Sequence, residues 1–295
     1  MPRQPSHDAE TSSRQLPVIL APDADELLSS WISRHASFYA IPPLGMLRHC
    51  LPEVSSLRSA DRNLTATQVT RLAGIFSTDP ATVRQMTFAN IAPSSRRLIA
   101  ARPLQSCSAC NPSDHEPGPT LRSQLLGWRI TCPLCGGLLR HPGRHDRPSP
   151  FGRYHGTALI GERLLDDEAE RGVRTWTSPT EIARLLLMRR IPRPVPRGYE
   201  PWRFRVLGAI IPDLDDVVAT ERRSLPTPAN PTILPLHLRP ALLAGVAIVE
   251  RAGPEMLKML RRHMMGQNQA RFSSAIDEIT THTCKLMASS QLQLI

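Results

Sequence analysis

Long apolar runs are absent from this sequence of 295 residues. No stretch approaches the roughly 18 consecutive apolar residues that a helix needs to cross a bilayer, which argues against a membrane-spanning protein. The first residues, MPRQPSHDAETSSRQLP, lack the apolar core of a secretion signal. We therefore expect a cytoplasmic protein with no membrane partner.

The signatures of several common enzyme classes are also missing. The sequence contains no phosphate-binding glycine loop of the Walker type and no G-x-S-x-G nucleophile motif. A zinc deaminase would need an H-x-E motif ahead of its cysteine pair, and none precedes the C-P-L-C at residues 132–135. We expect no catalytic residues, and an enzyme of an unrecognised type is the remaining alternative.

Lysine is rare, because only Lys258 and Lys285 are lysines among 36 basic residues, a skew that GC-rich coding alone could produce. The arginines are nevertheless clustered within residues 184–205, where Glu200 is the single acid. Those arginines are Arg184, Arg189, Arg190, Arg193, Arg197, Arg203 and Arg205. The cluster and the net charge of +10 favour a polyanionic partner such as DNA, with a solvated basic face as the alternative. Arg189 and Arg190 are our candidate contacts to DNA.

Alternating strand patterns are scarce, whereas helix-capping motifs recur along the chain. We predict a mainly α fold of helical bundles, with helix-turn-helix-like hairpins and a small four-cysteine zinc-ribbon insert. The predicted organisation is a disordered N-terminus at 1–15, a domain at 16–145 with the ribbon at 104–140, a connector at 146–176, and a helical domain at 177–290 with a proline- and arginine-rich linker at 191–201.

The first predicted helix follows Asp23, which has the spacing of a capping box with Glu26. Its apolar face comprises Leu27, Leu28, Trp31 and Ile32. His35 lies on the same face, and we interpret it as a core histidine with satisfied hydrogen bonds rather than as a ligand. Further along, Ser178 and Pro179 begin another helix, and PALLAGVAIVERAG (240–253) is apolar on nearly every side, as in a buried central helix.

A pair of short helices is predicted within residues 63–88. Thr65 with Gln68 begins the first helix, and Asp79 followed by Pro80 begins the second. Two short helices joined by a turn of three or four residues fit a helix-turn-helix, although most helical hairpins do not touch DNA. In such a motif the second helix would present Arg84 and Gln85 to DNA.

Four of the six cysteines form two C-x2-C pairs separated by 21 residues. The pairs are Cys107 with Cys110 and Cys132 with Cys135. Two such pairs match a tetrahedral zinc site of the ribbon type, in which four thiolates leave no position for an activated water. We therefore expect one structural Zn²⁺, a strand at GWRIT (127–131), and Trp128 packed beside the cluster.

The remaining candidate ligands are discounted. His141 and His145 have the spacing of a zinc finger's second half, but the intervening Pro142 and Gly143 oppose a helix. Cys50 and Cys284 have no partner in the sequence, and we interpret both as small buried apolar residues.

These motifs in combination resemble the TniQ family of transposition accessory proteins over roughly residues 16–140. Members of that family have a helix similar to E-L-L-S-S-W-I-S-R, which stands here at residues 26–34, then a helix-turn-helix-like region, Cys-x2-Cys, a W-R segment and a C-P-x-H-G knuckle. The matching positions are Trp31, Arg34, Cys107, Cys110, Trp128, Arg129, Cys132, Pro133 and Gly136. Cys135 replaces the usual histidine, and the second cysteine pair that often follows in the family is missing.

The resemblance implies a non-catalytic adaptor that links target DNA or a target-recognition complex to the ATPase and transposase of a mobile element. DNA, that ATPase, and the transposase or target-recognition complex are thus the expected partners, and a homodimer stays open. The alternative function is a freestanding DNA-binding transcriptional regulator with a zinc ribbon and a helix-turn-helix.

Overall fold

The computed structural model describes residues 15–110, 118–141, 148–188, 204–214, 216–217, 234–264 and 269–279. Over these ranges the chain is mainly helical, and its β pairing is limited to isolated bridges. The mainly α class with a four-cysteine cluster is therefore confirmed. The chain divides into two compact units, Met1–Asn90 with Gly118–Arg122 and Ile91–Pro117 with Ser123–Ile295.

The described part of the first unit contains α1 (Leu28–Phe38), α2 (Pro43–Cys50), α3 (Leu57–Arg62), α4 (Ala66–Ile75) and α5 (Pro80–Gln85). The apolar faces of these helices share a core in which Trp31, Leu47 and Phe76 are fully buried. Cys50 lies in the same core, and burial raises the pKa of its thiol to about 12. The interpretation of Cys50 as a buried apolar residue is therefore confirmed.

Helix α1 begins later than the capping pattern at Asp23 predicts. Its first residue is Leu28, because Asp25 has a φ of 62° and takes the chain out of the helical region. The Glu26 carboxylate accepts the Asp23 N–H at 3.0 Å, but this bond closes a loop ahead of the helix. At the start of α1, the Leu28 N–H donates to the carbonyl of Met86 at 2.9 Å. A contact distant in sequence thus replaces the predicted local cap.

The side chains of the motif E-L-L-S-S-W-I-S-R (residues 26–34) make hydrogen bonds that stabilise the fold of the first unit. Arg34 donates from Nε and Nη2 to the buried carboxylate of Glu26 at 2.9 and 2.7 Å. Trp31 donates from Nε1 to the carbonyl of Leu20 at 2.8 Å. His35 Nε2 accepts the Leu20 N–H at 3.0 Å while Nδ1 donates to the Trp31 carbonyl at 2.9 Å, which describes a neutral imidazole. His35 is therefore a satisfied core histidine, as the sequence predicts.

The predicted helix pair is present as α4 and α5, joined by residues 76–79. Thr65 and Gln68 form a capping box at α4, because each side chain accepts the backbone N–H of the other, at 3.3 and 2.9 Å. At α5, Asp79 Oδ1 accepts the Ala81 N–H at 3.1 Å, and Pro80 occupies the first turn. Both predicted starts are confirmed.

The described part of the second unit contains α6 (His155–Arg171), α7 (Pro179–Leu186), α8 (Arg205–Ile210), α9 (Arg239–Ala252) and α10 (Pro254–Leu260), and residues 269–279 are also helical. Most residues of α9 are buried, which confirms the predicted central helix. Gly253 ends α9 with a φ of 78°, and Pro254 begins α10. At α7, Ser178 Oγ accepts the Glu181 N–H at 3.2 Å, which confirms the predicted cap.

Helices α6 and α9 approach each other closely at Gly161. A Cβ atom built there would lie 2.0 Å from the carbonyl oxygen of Leu243 and 2.7 Å from its carbonyl carbon. These are backbone atoms, which cannot move aside as a flexible side chain can. Glycine at position 161 is therefore a condition for the packing of α6 on α9.

The range 146–176, predicted as a connector, contains α6. The apolar stripe of this helix is interrupted by two buried acids, Glu162 and Glu168. The Glu168 carboxylate accepts hydrogen bonds from the Ser178 hydroxyl at 2.5 Å and the Thr180 N–H at 2.8 Å, and it pairs with Arg174 at 2.9 Å. Because buried acids read as surface residues in a periodicity analysis, the helix is hard to recognise from its sequence.

Some predictions concern residues that the structure does not describe. The predicted disordered N-terminus lies outside the described residues except for Gln15, and the linker at 191–201 and Cys284 lie outside them entirely.

Candidate metal centre

The four paired cysteines converge on one point in the second unit. The Sγ atoms of Cys107, Cys110, Cys132 and Cys135 all lie within 4.8 Å of one another. The distance from Cys107 Sγ to Cys135 Sγ is 3.5 Å, and that from Cys110 Sγ to Cys132 Sγ is 3.8 Å. Four sulfurs placed tetrahedrally about 2.3 Å from one ion would be about 3.8 Å apart, whereas a disulfide requires about 2.05 Å. The spacing fits a shared metal ion and excludes disulfides.

In the first knuckle, residues 107–110, backbone N–H groups are directed at the sulfur of Cys107. Burial raises the pKa of the Cys107 thiol, but hydrogen bonds from the Cys110 N–H, the Cys135 side chain and the Ala109 N–H outweigh it and lower that pKa to about 7. N–H groups directed at a sulfur stabilise the thiolate, which is the form that binds a metal.

The second knuckle repeats this arrangement. The N–H groups of Cys135 and Leu134 face the Cys132 sulfur, and the Gly137 N–H donates to Cys135 Sγ at 3.4 Å. Gly136 has a φ of 72°, and its N–H donates to the Cys132 carbonyl at 2.9 Å. The predicted turn at Gly136 and Gly137 is therefore confirmed, and it requires glycine at position 136.

The segment entering the second knuckle is held by single bridges rather than by the predicted strand. Thr131 pairs with Leu138, and a second bridge, between Ser106 and Arg140, joins the chain ahead of the first knuckle to the chain after the second. The prediction of a strand at 127–131 is thus wrong. The reason is that the N–H groups of Ile130 and Thr131 donate to the Glu162 side chain of α6, and not to a neighbouring strand.

Glu162 on α6 supplies those acceptors. Its carboxylate accepts the Ile130 N–H at 2.9 Å, the Thr131 N–H at 3.0 Å and the Thr131 hydroxyl at 2.9 Å. Glu162 is only 3% exposed, so these bonds are shielded from water. One carboxylate therefore fixes the backbone directly ahead of Cys132.

Asp166 lies one turn further along α6 than Glu162. It binds Trp128 and Arg129, the two residues that precede Ile130. It accepts the Trp128 indole N–H at 2.7 Å and pairs with Arg129 at 2.7 Å. Burial raises the pKa of Asp166 to about 6, although Arg129 and the Trp128 hydrogen bond oppose the rise. The contact that holds Trp128 is thus a hydrogen bond to α6, which the sequence did not predict.

Arg239, at the start of α9, binds the chain ahead of both knuckles from the interior. Its Nη1 donates to the Gln105 side chain and, at 2.8 Å, to the Arg129 carbonyl. Its Nε donates to the Leu234 carbonyl at 3.0 Å. Burial lowers the pKa of this guanidinium to about 9, against the attraction of Glu162. A buried arginine with these partners links α9 to the residues that lead into each of the two knuckles.

The other predicted site residues lie elsewhere. Arg84 and Gln85 are exposed near the end of α5 in the first unit, which leaves them accessible to a partner. Arg189, Arg190 and His145 lie outside the described residues, and His141 does not belong to the four-sulfur cluster.

The four cysteines could hold one metal ion. Four cysteine sulfurs complete a tetrahedron and leave no open position at which a metal could activate water. In the part of the chain that the structure describes, no second group of three or more potential ligands could hold a metal. Among the same residues, no helix has the length and apolar character needed to cross a membrane.

Comparison with known proteins gives one match. The TniQ family model matches residues 17–136, which is less than half of the chain but includes the α1 motif and all four cysteines. No curated protein and no solved structure matches. The family indicates a transposition-associated accessory protein. Residues 17–136 of this chain are therefore similar to the TniQ family.

Proposed function

We propose that this protein is a non-catalytic accessory factor of DNA transposition, which binds one structural Zn²⁺ and links target DNA or a target-recognition complex to the transposition machinery. The observation that carries the proposal is the closed four-sulfur cluster within a TniQ-family segment. A closed site supports a structural role, because catalysis by zinc requires an open position.

Zinc is the metal that this donor set suits best. Four thiolates in two knuckles form a soft, tetrahedral site, a geometry that favours zinc over magnesium or calcium. The N–H groups directed at Cys107, Cys132 and Cys135 partly neutralise the charge of a tetrathiolate site. Replacement of the family's histidine by Cys135 therefore keeps a complete ligand set.

A reconstituted transposition assay tests the accessory function. With the ATPase, the transposase and the ends of a linked element supplied, omission of this protein should reduce integration at the selected target at least tenfold. The control is the same reaction with this protein restored. Equal integration with and without the protein would contradict the proposed function, whatever the state of the metal site.

The DNA contact is tested separately through the salt dependence of binding. If Arg84 contacts a phosphate, Arg84→Ala should make the negative slope of log K against log salt shallower by about 0.9. If Arg189 and Arg190 each contact a phosphate, replacing both with alanine should make that slope shallower by about 1.8. Gln85→Ala would change affinity without changing the slope, because glutamine carries no charge. Arg58→Ala, an exposed arginine on α3, is the matched control. Unchanged slopes in both arginine variants would remove these residues as phosphate contacts.

A further inference from the structure

Two of the four cysteines in the cluster are exposed to solvent. These are Cys110 and Cys135, whereas Cys107 and Cys132 are 4% and 2% exposed. Each exposed cysteine lies against a buried cysteine of the other knuckle. The Sγ atoms of Cys135 and Cys107 are 3.5 Å apart, and those of Cys110 and Cys132 are 3.8 Å apart. The cluster therefore contains two sulfur pairs, and each pair joins an accessible residue to a shielded one.

The chain around Cys135 leaves its sulfur open. Its neighbours Pro133, Leu134 and Gly136 are exposed as well. Gly137 has no side chain, and a Cβ atom built there would lie only 3.3 Å from Cys135 Sγ. The Gly137 N–H donates to the same sulfur at 3.4 Å, and such a hydrogen bond stabilises a thiolate. Cys135 therefore combines access for a small solute with thiolate character.

Access and thiolate character are the two properties that govern the oxidation of a cysteine. The thiolate is the nucleophile that attacks a peroxide, so reactivity follows the exposure and the ionisation of the sulfur. A cysteine stays ionised while it holds a metal ion. A second sulfur close by can then convert the oxidised cysteine to a disulfide. Cys107 can do this for Cys135, because an approach of about 1.5 Å would bring the pair to the length of a disulfide, about 2.05 Å.

We propose that Cys135 and Cys107 form a peroxide-responsive pair whose oxidation opens the metal cluster. The Cys135 thiolate attacks one oxygen of hydrogen peroxide, the O–O bond breaks, and hydroxide leaves, which gives a sulfenic acid. The Cys107 thiolate then attacks the Cys135 sulfur, the S–S bond forms, and the S–O bond breaks to release a second hydroxide. The two sulfurs lose two electrons in total, and the peroxide gains them.

Formation of this disulfide removes half of the ligand set. Cys110 and Cys132 alone cannot complete a tetrahedral site, so the metal ion is released. The change reaches the fold, because the two residues ahead of Cys132 are bound to the buried Glu162 of α6. The inference rests on the zinc site proposed above and not on the role in transposition. It makes the structure of the second unit dependent on the oxidation state of one sulfur pair.

Peroxide treatment of the full-length, zinc-loaded protein tests the proposal. Zinc release is followed with a chromogenic chelator, and disulfides are located by tandem mass spectrometry without reduction. Hydrogen peroxide should release one zinc per chain as the disulfide between Cys107 and Cys135 forms. Dithiothreitol with added zinc should reverse both changes, since a disulfide can be reduced whereas a sulfinic acid cannot.

Two histidine variants make the result specific. Cys135→His and Cys110→His each keep three thiolates and add an imidazole, which is a zinc ligand that forms no disulfide. Cys135→His should release zinc roughly tenfold more slowly than the parent, because the accessible sulfur of the closer pair is gone. Cys110→His should stay within about twofold of the parent rate, because it keeps that pair. The zinc content of each variant is measured before peroxide is added.

Three outcomes would overturn the proposal: retention of zinc by the parent under peroxide, a first disulfide that does not join Cys107 to Cys135, or equal release rates in the two histidine variants. The proposed function is judged separately. A zinc-loaded protein that resists peroxide rejects the responsive pair alone, whereas a protein purified without zinc rejects the proposed metal. The transposition assay remains the test of the accessory role in either case.

Discussion

Replacing Cys132 with serine should abolish metal binding and unfold the second unit, rather than only the loop that carries the cysteine. Cys132 is 2% exposed, and the two residues before it are bound to Glu162 of α6. Structural zinc contributes about 10–16 kcal/mol in small zinc domains, which is comparable to the whole stability of a typical protein. Metal analysis should find no bound zinc, and hydrogen exchange should show lost protection in α6 and α9.

Cys50→Ala is the matched control for this experiment. Cys50 is also buried, but it lies in the core of the first unit and outside the four-sulfur cluster. This variant should keep one zinc per chain and full protection of α6 and α9. Protection of these helices that persists in metal-free Cys132→Ser would show that the cluster supports its own loop only.

Gly161→Ala should be the most damaging single methyl addition in α6. The new Cβ would meet the backbone of Leu243 at 2.0 Å, so α6 and α9 would have to separate. Overpacking of this kind costs about 3 kcal/mol or more when no side chain can yield. We expect the melting temperature of the zinc-loaded protein to fall by roughly 6–12 °C, measured by calorimetry.

Gly156→Ala provides the comparison within the same helix. A Cβ at Gly156 would meet nothing within 4 Å, and alanine is favoured over glycine in a helix by about 0.5–1 kcal/mol. This variant should therefore be as stable as the parent or slightly more so. Equal losses of stability in the two variants would mean that the contact with Leu243 does not determine the outcome.

The features that the sequence predicts well are those with local causes. Thr65, Asp79 and Ser178 cap their helices because the groups that they bind lie within three residues along the chain. The metal site is equally easy to recognise in the sequence, because two cysteine pairs with short internal spacing bring their sulfurs together in a compact ribbon. In each case the pattern itself contains both partners of the interaction.

The features that the sequence does not predict depend on distant partners. Helix α1 begins at Leu28 because the Met86 carbonyl, and not the Asp23 side chain, binds its first N–H. Glu162 and Arg239 have no signature in the sequence, since an acid and an arginine within helices are normally read as surface residues. Their roles follow only from what the fold places against them, and the same holds for the contacts of Asp166 and Arg239 with the W-R segment.

The buried contacts of Glu162 and Arg239 also bear on how modular this protein is. The family match ends at residue 136, whereas both side chains that fix the cluster segment come from beyond it. A fragment cut at that boundary would keep four cysteines but leave the Ile130 and Thr131 N–H groups without their acceptor. Exchange of C-terminal regions between relatives would meet the same obstacle, because the buried acid and arginine must be inherited together with the ribbon that they support. The recognisable segment is therefore shorter than the smallest piece that should fold and be exchanged as a unit.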